Sequence, residues 1–203
     1  MTKITKMTMD VVYWATPGKV VATTQRVASA SMAEAFGPAG TKNECRKVSQ
    51  GAARQLKEFY GYKVVMWLRE PFERAACAYV IWHKPPYTKM SPTEFAQKIL
   101  GETNPHFSPQ IKLHMAGDTF LPTVLYPFEN LAQTWAFEFP KYPLSHVGAQ
   151  PKRMSGQEFK SLIEPGVRKE LEQHYAQDTE SHKILMNMGM MHVDLVEEPC
   201  GAA

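Results

Sequence analysis

Two short segments of the chain combine a guanidinium group with small or helix-starting residues, and each directly follows an apolar run. The first covers residues 25–32 and reads Gln-Arg-Val-Ala-Ser-Ala-Ser-Met, with its cation at Arg26. The second covers residues 68–79 and reads Leu-Arg-Glu-Pro-Phe-Glu-Arg-Ala-Ala-Cys-Ala-Tyr, with a cation at Arg69. Guanidinium groups and the backbone N–H groups of helix starts bind phosphate. Two such segments after neighbouring strands would hold a nucleotide that carries phosphates at two separate positions.

The first segment has the features of a phosphate-binding turn. Lys19–Thr24 is rich in β-branched residues, which favours a buried strand. The small residues 28–31 let backbone N–H groups approach an anion, and a helix starting near Met32 directs its positive end to the same place. The alternative is an ordinary turn from strand to helix, in which Ser29 or Ser31 caps the helix.

The second segment predicts a cation at the end of another strand. Residues 63–68 form an apolar, strand-like run, and Pro71 suits the first turn of a following helix. Arg69 therefore falls at the carboxyl end of a strand, where ligands of open α/β sheets bind. Its planar guanidinium fits a phosphate in a bidentate manner. The alternative is a surface ion pair between Arg69 and either Glu70 or Glu73.

Both segments resemble the nucleotide-binding elements of the PAPS-dependent sulfotransferases, in particular carbohydrate sulfotransferases of the family 2 type. In that family a Lys-x-[Ala/Gly]-[Ser/Cys]-Thr-[Ser/Thr] loop binds the 5′-phosphosulfate of 3′-phosphoadenosine 5′-phosphosulfate (PAPS). An Arg-[Asp/Asn/Glu]-Pro-Phe-x-Arg-x-x-Ser-x-Tyr element binds the 3′-phosphate. The resemblance runs from about Lys19 to Leu185. Three further elements belong to the resemblance. Residues 104–110 are similar to an Asn-x-His-x-x-Pro-Gln stretch of the family, and residues 126–131 are similar to its Tyr-Glu-Asn-Leu block. Residues 175–178 are similar to its late Tyr-x-x-Asp helix.

The resemblance implies that this chain transfers a sulfuryl group from PAPS to a hydroxyl acceptor, a carbohydrate, and releases the diphosphate PAP. The cofactor-binding residues that it implies are Arg26, Val27, Ala28, Ser29, Ala30, Ser31, Met32, Arg69 and Cys77. Three of them depart from the family pattern, because Arg26 replaces the loop lysine, Ala30 the loop threonine and Cys77 the serine. An arginine keeps the positive charge but cannot donate a proton to the leaving group. A homologue that binds a nucleotide or a glycan without catalysis is therefore an open alternative.

His106 is the candidate base that removes the acceptor proton. The pKa range of histidine suits that step near neutral pH, and His106 matches the histidine of the family stretch. Arg26 is expected to act in catalysis as the cation beside the transferring group. The alternatives are that His106 only packs its loop, or that the base is Glu73 or Glu129.

A second pair of cations, Lys152 and Arg153, precedes a predicted helix. In the resembling family this part of the chain is a loop that closes over the 3′ side of the nucleotide, so both side chains are expected to add phosphate contacts. The simpler interpretation is two solvated cations before a capped helix.

The composition fits one domain that binds an anionic ligand. The chain has 203 residues, a formal net charge of +3 and three cysteines. That length allows one sizeable core, and the weak positive charge suits an anionic cofactor without indicating a nucleic-acid partner. The widely spaced Cys45, Cys77 and Cys200 favour a reducing compartment and no metal site. Without a signal or membrane-spanning stretch, the sequence predicts a soluble cytoplasmic protein of bacterial or viral type, or a fragment, with no membrane partner.

The predicted elements alternate in the manner of an α/β protein. We predict a single domain over residues 1–203, with a central, mostly parallel sheet flanked by helices and an architecture resembling that of the P-loop kinases. Strands are expected at Val11–Trp14, Lys19–Thr24, Lys63–Leu68 and Thr123–Tyr126. Helices are expected at Val48–Tyr60 and Phe128–Phe137, and after capping boxes at 91–94 and 155–158. Loops are expected at Trp82–Met90 and Gly101–Asp118.

The rival function is a phosphoryl transferase of the P-loop class, which is disfavoured because the chain lacks a Gly-x-x-x-x-Gly-Lys-[Ser/Thr] motif.

Overall fold

Runs of β-branched and aromatic residues form the sheet at the centre of the molecule, as their propensities favour. The computed structural model describes residues 11–24, 27, 29–36, 45–81, 90–144, 154–188 and 193–194. In these residues the strands are β1 (Val12–Thr16), β2 (Lys19–Thr23), β3 (Arg46–Val48), β4 (Lys63–Leu68), β5 (Met115–Ala116), β6 (Thr119–Phe120), β7 (Val124–Pro127) and β8 (Val193–Asp194). Six of these described strands form one sheet in the order β3-β1-β2-β4-β7-β8, and β5 and β6 form a separate hairpin.

Most strands of the central sheet run in the same direction. β2, β4 and β7 are adjacent and parallel. β3 runs the same way as β2, because β3 is antiparallel to β1 and β1 is antiparallel to β2. β1 and β8 run in the opposite direction. The carboxyl ends of β2, β4 and β7 therefore lie at one edge of the sheet.

Helices cover both faces of this sheet. The helices of the described residues are α1 (Ser29–Phe36), α2 (Gln50–Tyr60), α3 (Pro71–Ile81), α4 (Pro92–Gly101), α5 (Gln110–Leu113), α6 (Leu131–Glu138), α7 (Gly156–Ser161), α8 (Pro165–His174) and α9 (Ala176–Asn187). Side chains alternate between the two faces along each strand. Val21 and Trp67 pack with residues of α1 and α6, whereas Val20 and Met66 pack with residues of α2 and α9.

A further helical layer, made of α3, α4, α7 and α8, has its own apolar core. This core includes the buried rings of Phe72, Phe95 and Phe159. The helices α4 and α7 begin at capping boxes on Ser91 and Ser155, as the sequence predicts. In this layer α3, which follows β4, packs against α7.

Gly156, the first residue of α7, lets that helix approach the start of α3 closely. A Cβ on Gly156 would lie 2.6 Å from the backbone nitrogen of Glu73 and 2.8 Å from the carbonyl carbon of Phe72. The backbone N–H of Gly156 also donates to Glu73 Oε1 at 3.0 Å. The start of α7 is thereby held against the helix that follows Arg69.

The predicted α/β class, with one mostly parallel central sheet flanked by helices, is confirmed. Two local predictions are wrong: residues 101–118 are not a continuous loop, since they contain α5 and β5, and Val48 ends β3 instead of starting α2. The predicted loop at 82–90 lies outside the described residues except for Met90. The domain extent of 1–203 and the likeness to P-loop kinases stay predictions. In the described parts of the chain, none of the helices has the length and apolar character needed to cross a bilayer.

Candidate functional site

The carboxyl ends of β2 and β4 lie side by side at a point where the chain connections diverge. From β2 the chain passes through α1 to β3 on one side of the sheet, and from β4 it continues to β7 on the other side. In open α/β sheets, ligands bind outside the strand ends at such a point. Both cationic segments of the sequence begin here, because one follows β2 and the other follows β4. We call this place, bounded by Thr24 and Arg69, the β2–β4 edge.

The described part of the first segment contains two buried anchors and a more accessible first helical turn. Val27 and Met32 are fully buried in the core under α1. Any contact that they make with a ligand is therefore through their backbone. The helix α1 begins at Ser29, with Ala30 exposed and Ser31 half-buried.

Thr24 is a polar residue of this edge that the sequence reasoning missed. It directly follows β2, it is fully buried, and its Oγ1 has no hydrogen-bond partner among the described residues. Buried hydroxyls are usually hydrogen-bonded, so Thr24 is an exception among the described residues. The available signal in the sequence was a pair of threonines directly before the first cationic segment.

Arg69 directly follows β4 and is half-buried, as its predicted position requires. Its guanidinium lies over the ring of Phe128, with its central carbon 5.1 Å from the ring centroid. This is a cation–π contact. Phe128 directly follows β7, so the contact joins the carboxyl ends of two neighbouring parallel strands. The sequence placed Arg69 correctly but gave no indication of Phe128 as its partner.

Glu129 and His182 are hydrogen-bonded beside Arg69. The Oε2 atom of Glu129 is 3.0 Å from Nε2 of His182, and the glutamate side chain is 40% exposed. Partial burial alone would raise the pKa of Glu129, but the hydrogen bond with His182 and the positive charges of His182 and Arg69 outweigh it and lower this pKa. The edge therefore carries an ionised carboxylate next to a cation.

The side chain of Gln110 lies beside β4, on the side of that strand that faces β2. It lies just beyond the last residue of β4 that pairs with β2. Gln110 Oε1 accepts from the backbone N–H of Arg69 at 3.1 Å, and Nε2 donates to the carbonyl of Trp67 at 3.2 Å. The carbonyl of Val64 bonds to Thr123 on the β7 side, and backbone groups alternate in direction along a strand. The groups of residues 67 and 69 therefore face β2, whose pairing with β4 ends at residue 66.

Three buried side chains, which we call the clamp, hold the backbone around Gln110. They are Arg74 on α3, and Tyr175 and Asp178 at the start of α9. Asp178 accepts from the backbone N–H groups of Gln110 at 2.6 Å and Ile111 at 3.1 Å. The other two clamp residues donate to the carbonyls of the two residues before Pro109, Arg74 to residue 108 and Tyr175 to residue 107.

The clamp charges are buried together. Burial raises the pKa of Asp178, and the charge of Arg74 and the two backbone N–H donors act against that rise. Burial likewise lowers the pKa of Arg74, against the attraction of Tyr175 and Asp178. The late Tyr-x-x-Asp element of the sequence thus supports the loop that carries His106, a role that its spacing alone did not reveal.

His106 lies in the loop that the clamp holds. The residue is half-buried, and its backbone N–H donates to Oδ1 of Asn104 at 3.0 Å. His106 is four positions before Gln110, so its Cα lies within about 14 Å of the Gln110 Cα. The loop that carries His106 therefore ends at the β2–β4 edge, where Gln110 bonds to β4. Glu73, an alternative base, accepts a hydrogen bond from Gly156 at the contact of α3 with α7.

His114 is a second histidine near this loop, and its surroundings exclude it as a base. It is fully buried, and its Nδ1 is 2.9 Å from the hydroxyl of Tyr13. Burial, assisted by the charge of Arg74, lowers the pKa of His114 to about 3. The side chain is therefore neutral at physiological pH and out of reach of an acceptor.

Cys77 lies six residues into α3, half-buried and not in a disulfide. It is four residues from Glu73, so both side chains project from the same face of the helix, the face that meets α7. Four of the predicted site residues, Arg26, Ala28, Lys152 and Arg153, lie outside the described residues. The structure thus groups Thr24, Arg69 and Gln110 at one edge and brings the His106 loop to it.

Two surface hollows of the described residues lie elsewhere. One, of about 410 Å³, is lined by Trp135, Phe139 and Leu144, and the other, of about 310 Å³, includes Lys19 and Tyr142. Lys19 starts β2, so these hollows are at the amino ends of the parallel strands. They lie at the opposite end of the strands from the β2–β4 edge, and none of the predicted site residues lines them.

Comparisons with protein-family models, with curated proteins and with solved structures found no match to this chain.

Proposed function

We propose that this protein is a PAPS-dependent sulfotransferase that acts on a hydroxyl group of a carbohydrate. The observation that supports the proposal is the placement of the two cationic segments after adjacent parallel strands, where the chain connections diverge. Adjacent strands are about 4.8 Å apart, so one nucleotide can reach both strand ends. A nucleotide with phosphates at its 3′ and 5′ positions matches that arrangement better than one with a single phosphate chain.

Arg69 fits a 3′-phosphate. Its guanidinium is half-buried at a strand end and held in orientation by the ring of Phe128, which reduces the freedom that it loses on binding. The carboxylate of Glu129 is close by, so an incoming phosphate has to compete with it for the same cation. In the proposal Arg26 stabilises the negative charge that develops on the leaving 5′-phosphate.

In the proposed reaction the hydroxyl oxygen of the acceptor attacks sulfur and forms a new S–O bond. The S–O bond to the bridging phosphate oxygen breaks, and PAP leaves with that electron pair. The acceptor proton passes to the base. This chemistry requires alignment and charge stabilisation but no covalent intermediate on the protein.

His106 is the base that we favour over Glu129. A general base works best when its pKa is near the working pH. The lowered pKa of Glu129 makes its carboxylate a weak proton acceptor at neutral pH. In the proposal His106 takes the proton, and Glu129 helps to orient Arg69.

Competition calorimetry tests the proposal at the level of ligand class. PAP should bind much more tightly than ATP, because the two cationic segments suit separated phosphates. Transfer of radiolabelled sulfate from PAPS to a panel of glycans should then identify the acceptor. Equal or tighter binding of ATP would contradict the proposal in favour of a phosphoryl transferase, and tight PAP binding without transfer to any acceptor would favour a non-catalytic homologue.

A further inference from the structure

We infer that Gln110 is a positioning residue, which sets the His106 loop in a fixed register against the nucleotide-binding end of β4. The inference concerns the catalytic arrangement and rests on the proposed function for its kinetic consequence. Gln110 is 1% exposed, and its amide bonds to the backbone at Trp67 and Arg69. It therefore joins the loop to the residue that carries the phosphate-binding cation.

The chemistry of the glutamine amide suits this place on β4. Beyond Met66, the last residue of β4 in the register with β2, the carbonyl of Trp67 and the N–H of Arg69 lie on the same side of the strand and bond to Gln110. An amide offers one acceptor and two donors, so it satisfies both groups at once. A carboxylate supplies only acceptors at neutral pH, and an apolar side chain supplies neither. The side chain of Gln110 therefore replaces a neighbouring strand at the end of β4.

The residue is fixed at its backbone as well as at its side chain. Asp178 accepts the backbone N–H of Gln110, and Arg74 bonds to the carbonyl of Ser108 two residues earlier. The loop can thus neither slide along β4 nor rotate away from it without breaking a buried hydrogen bond. Reactions that depend on alignment are sensitive to this, because a displacement of 1 Å can cost about 100-fold in rate.

The test uses Gln110→Met, which keeps the length of the side chain and removes both hydrogen bonds. The turnover number should fall about 100-fold, while the affinity for PAP changes less than about threefold. Hydrogen exchange should show faster exchange of the Arg69 amide, because that N–H loses its acceptor. Gln110→Glu keeps the acceptor and loses the donor, so the Arg69 amide should stay protected while turnover still falls.

Thr134→Val is the matched control. It also removes a buried hydrogen bond to β4, since the indole N–H of Trp67 donates to Thr134 Oγ1 at 2.8 Å, but Thr134 does not touch the loop. We expect this control to lower thermal stability without changing turnover or the exchange of the Arg69 amide. Equal losses in the control and in Gln110→Met would show a merely structural role and overturn the inference.

The exchange measurement separates this inference from the proposed function. If the wild-type protein transfers no sulfate from PAPS, the proposed function fails. The positioning role of Gln110 is then decided by hydrogen exchange alone. The Arg69 amide and the amides of residues 104–109 should exchange faster in Gln110→Met but not in Thr134→Val. Unchanged exchange in both variants would overturn it even in an active enzyme.

Discussion

Arg69 and Arg74 are five residues apart in one sequence element, yet the structure uses them in opposite ways. Arg69 is half-buried at a strand end and lies over an aromatic ring beside a partly exposed carboxylate. Arg74 is fully buried one turn into α3, where it bonds to a loop carbonyl and neutralises Asp178. The first cation is the one that we propose to bind a ligand, whereas the second is buried and supports the fold. Burial and hydrogen-bond partners, rather than the motif, thus distinguish the structural arginine from the one proposed to bind a ligand.

The largest effect is expected from Arg74→Ala. The variant leaves the carboxylate of Asp178 buried without its counter-charge, so the free energy of unfolding should fall by about 3–5 kcal/mol. Urea denaturation followed by circular dichroism measures this change. Arg69→Ala, measured in the same way, should lose less than about 1 kcal/mol. Similar losses for the two variants would remove the distinction between the two arginines.

Arg69→Ala should instead act on ligand affinity. Loss of a charge-assisted contact to the 3′-phosphate should weaken PAP binding by about 2–4 kcal/mol, as measured by calorimetry. Adenosine 5′-phosphosulfate lacks that phosphate, so its affinity should be nearly unchanged. Equal losses for both ligands would mean that Arg69 supports the site without contacting the 3′ group.

His106→Ala should lower turnover about 100-fold and leave PAP affinity unchanged. The reason is that a general base acts in the transition state, whereas the phosphates are held by other residues. The acidic limb of the pH–rate profile, set by a histidine, should also disappear. An unchanged turnover number with a true acceptor would move the base to Glu129.

The smallest effect is expected from Glu129→Gln, and it should depend on pH. The folded-state pKa of Glu129 is lowered from the ordinary glutamate value of 4.5, so its pairing with His182 stabilises the fold above that pH. This contribution is lost as the pH falls through the folded-state pKa. Because the carboxylate is 40% exposed, solvent screening keeps the effect under about 1 kcal/mol. Unfolding free energies of wild type and variant should converge once the pH is below the folded-state pKa of Glu129, and a constant offset there would contradict the assignment.

Features with a local signal were predictable from the sequence. The strand Lys63–Leu68 matches its prediction because the continuous apolar run of residues 64–68 specifies it, and Pro71 starts the helix that follows. The capping boxes at Ser91 and Ser155 are equally local, since the partners are three positions apart. The position of Arg69 at a strand end follows from the same local pattern.

Features that depend on distant contacts were not predictable. The clamp joins Arg74 to Ser108 across 34 positions and Asp178 to Gln110 across 68, and no periodicity records such a contact. β3 is only three residues long and largely exposed, so no apolar pattern in the sequence predicts it. The burial of the Thr24 hydroxyl without a hydrogen-bond partner among the described residues also depends on the packing around it, which the sequence does not specify.

The close approach of α7 to α3 has a consequence for which substitutions the chain can accept. If codon 156 is randomised, nearly all folded variants in the library should carry glycine there. Even the methyl group of alanine would overlap the backbone at Phe72 and Glu73. Codon 166 should accept many residues, since a Cβ on Gly166 meets nothing within 4 Å and the residue is helical. Gly166→Ala should even raise stability slightly, by about 0.5–1 kcal/mol. Two glycines ten positions apart thus differ in mutational tolerance for a reason of packing alone.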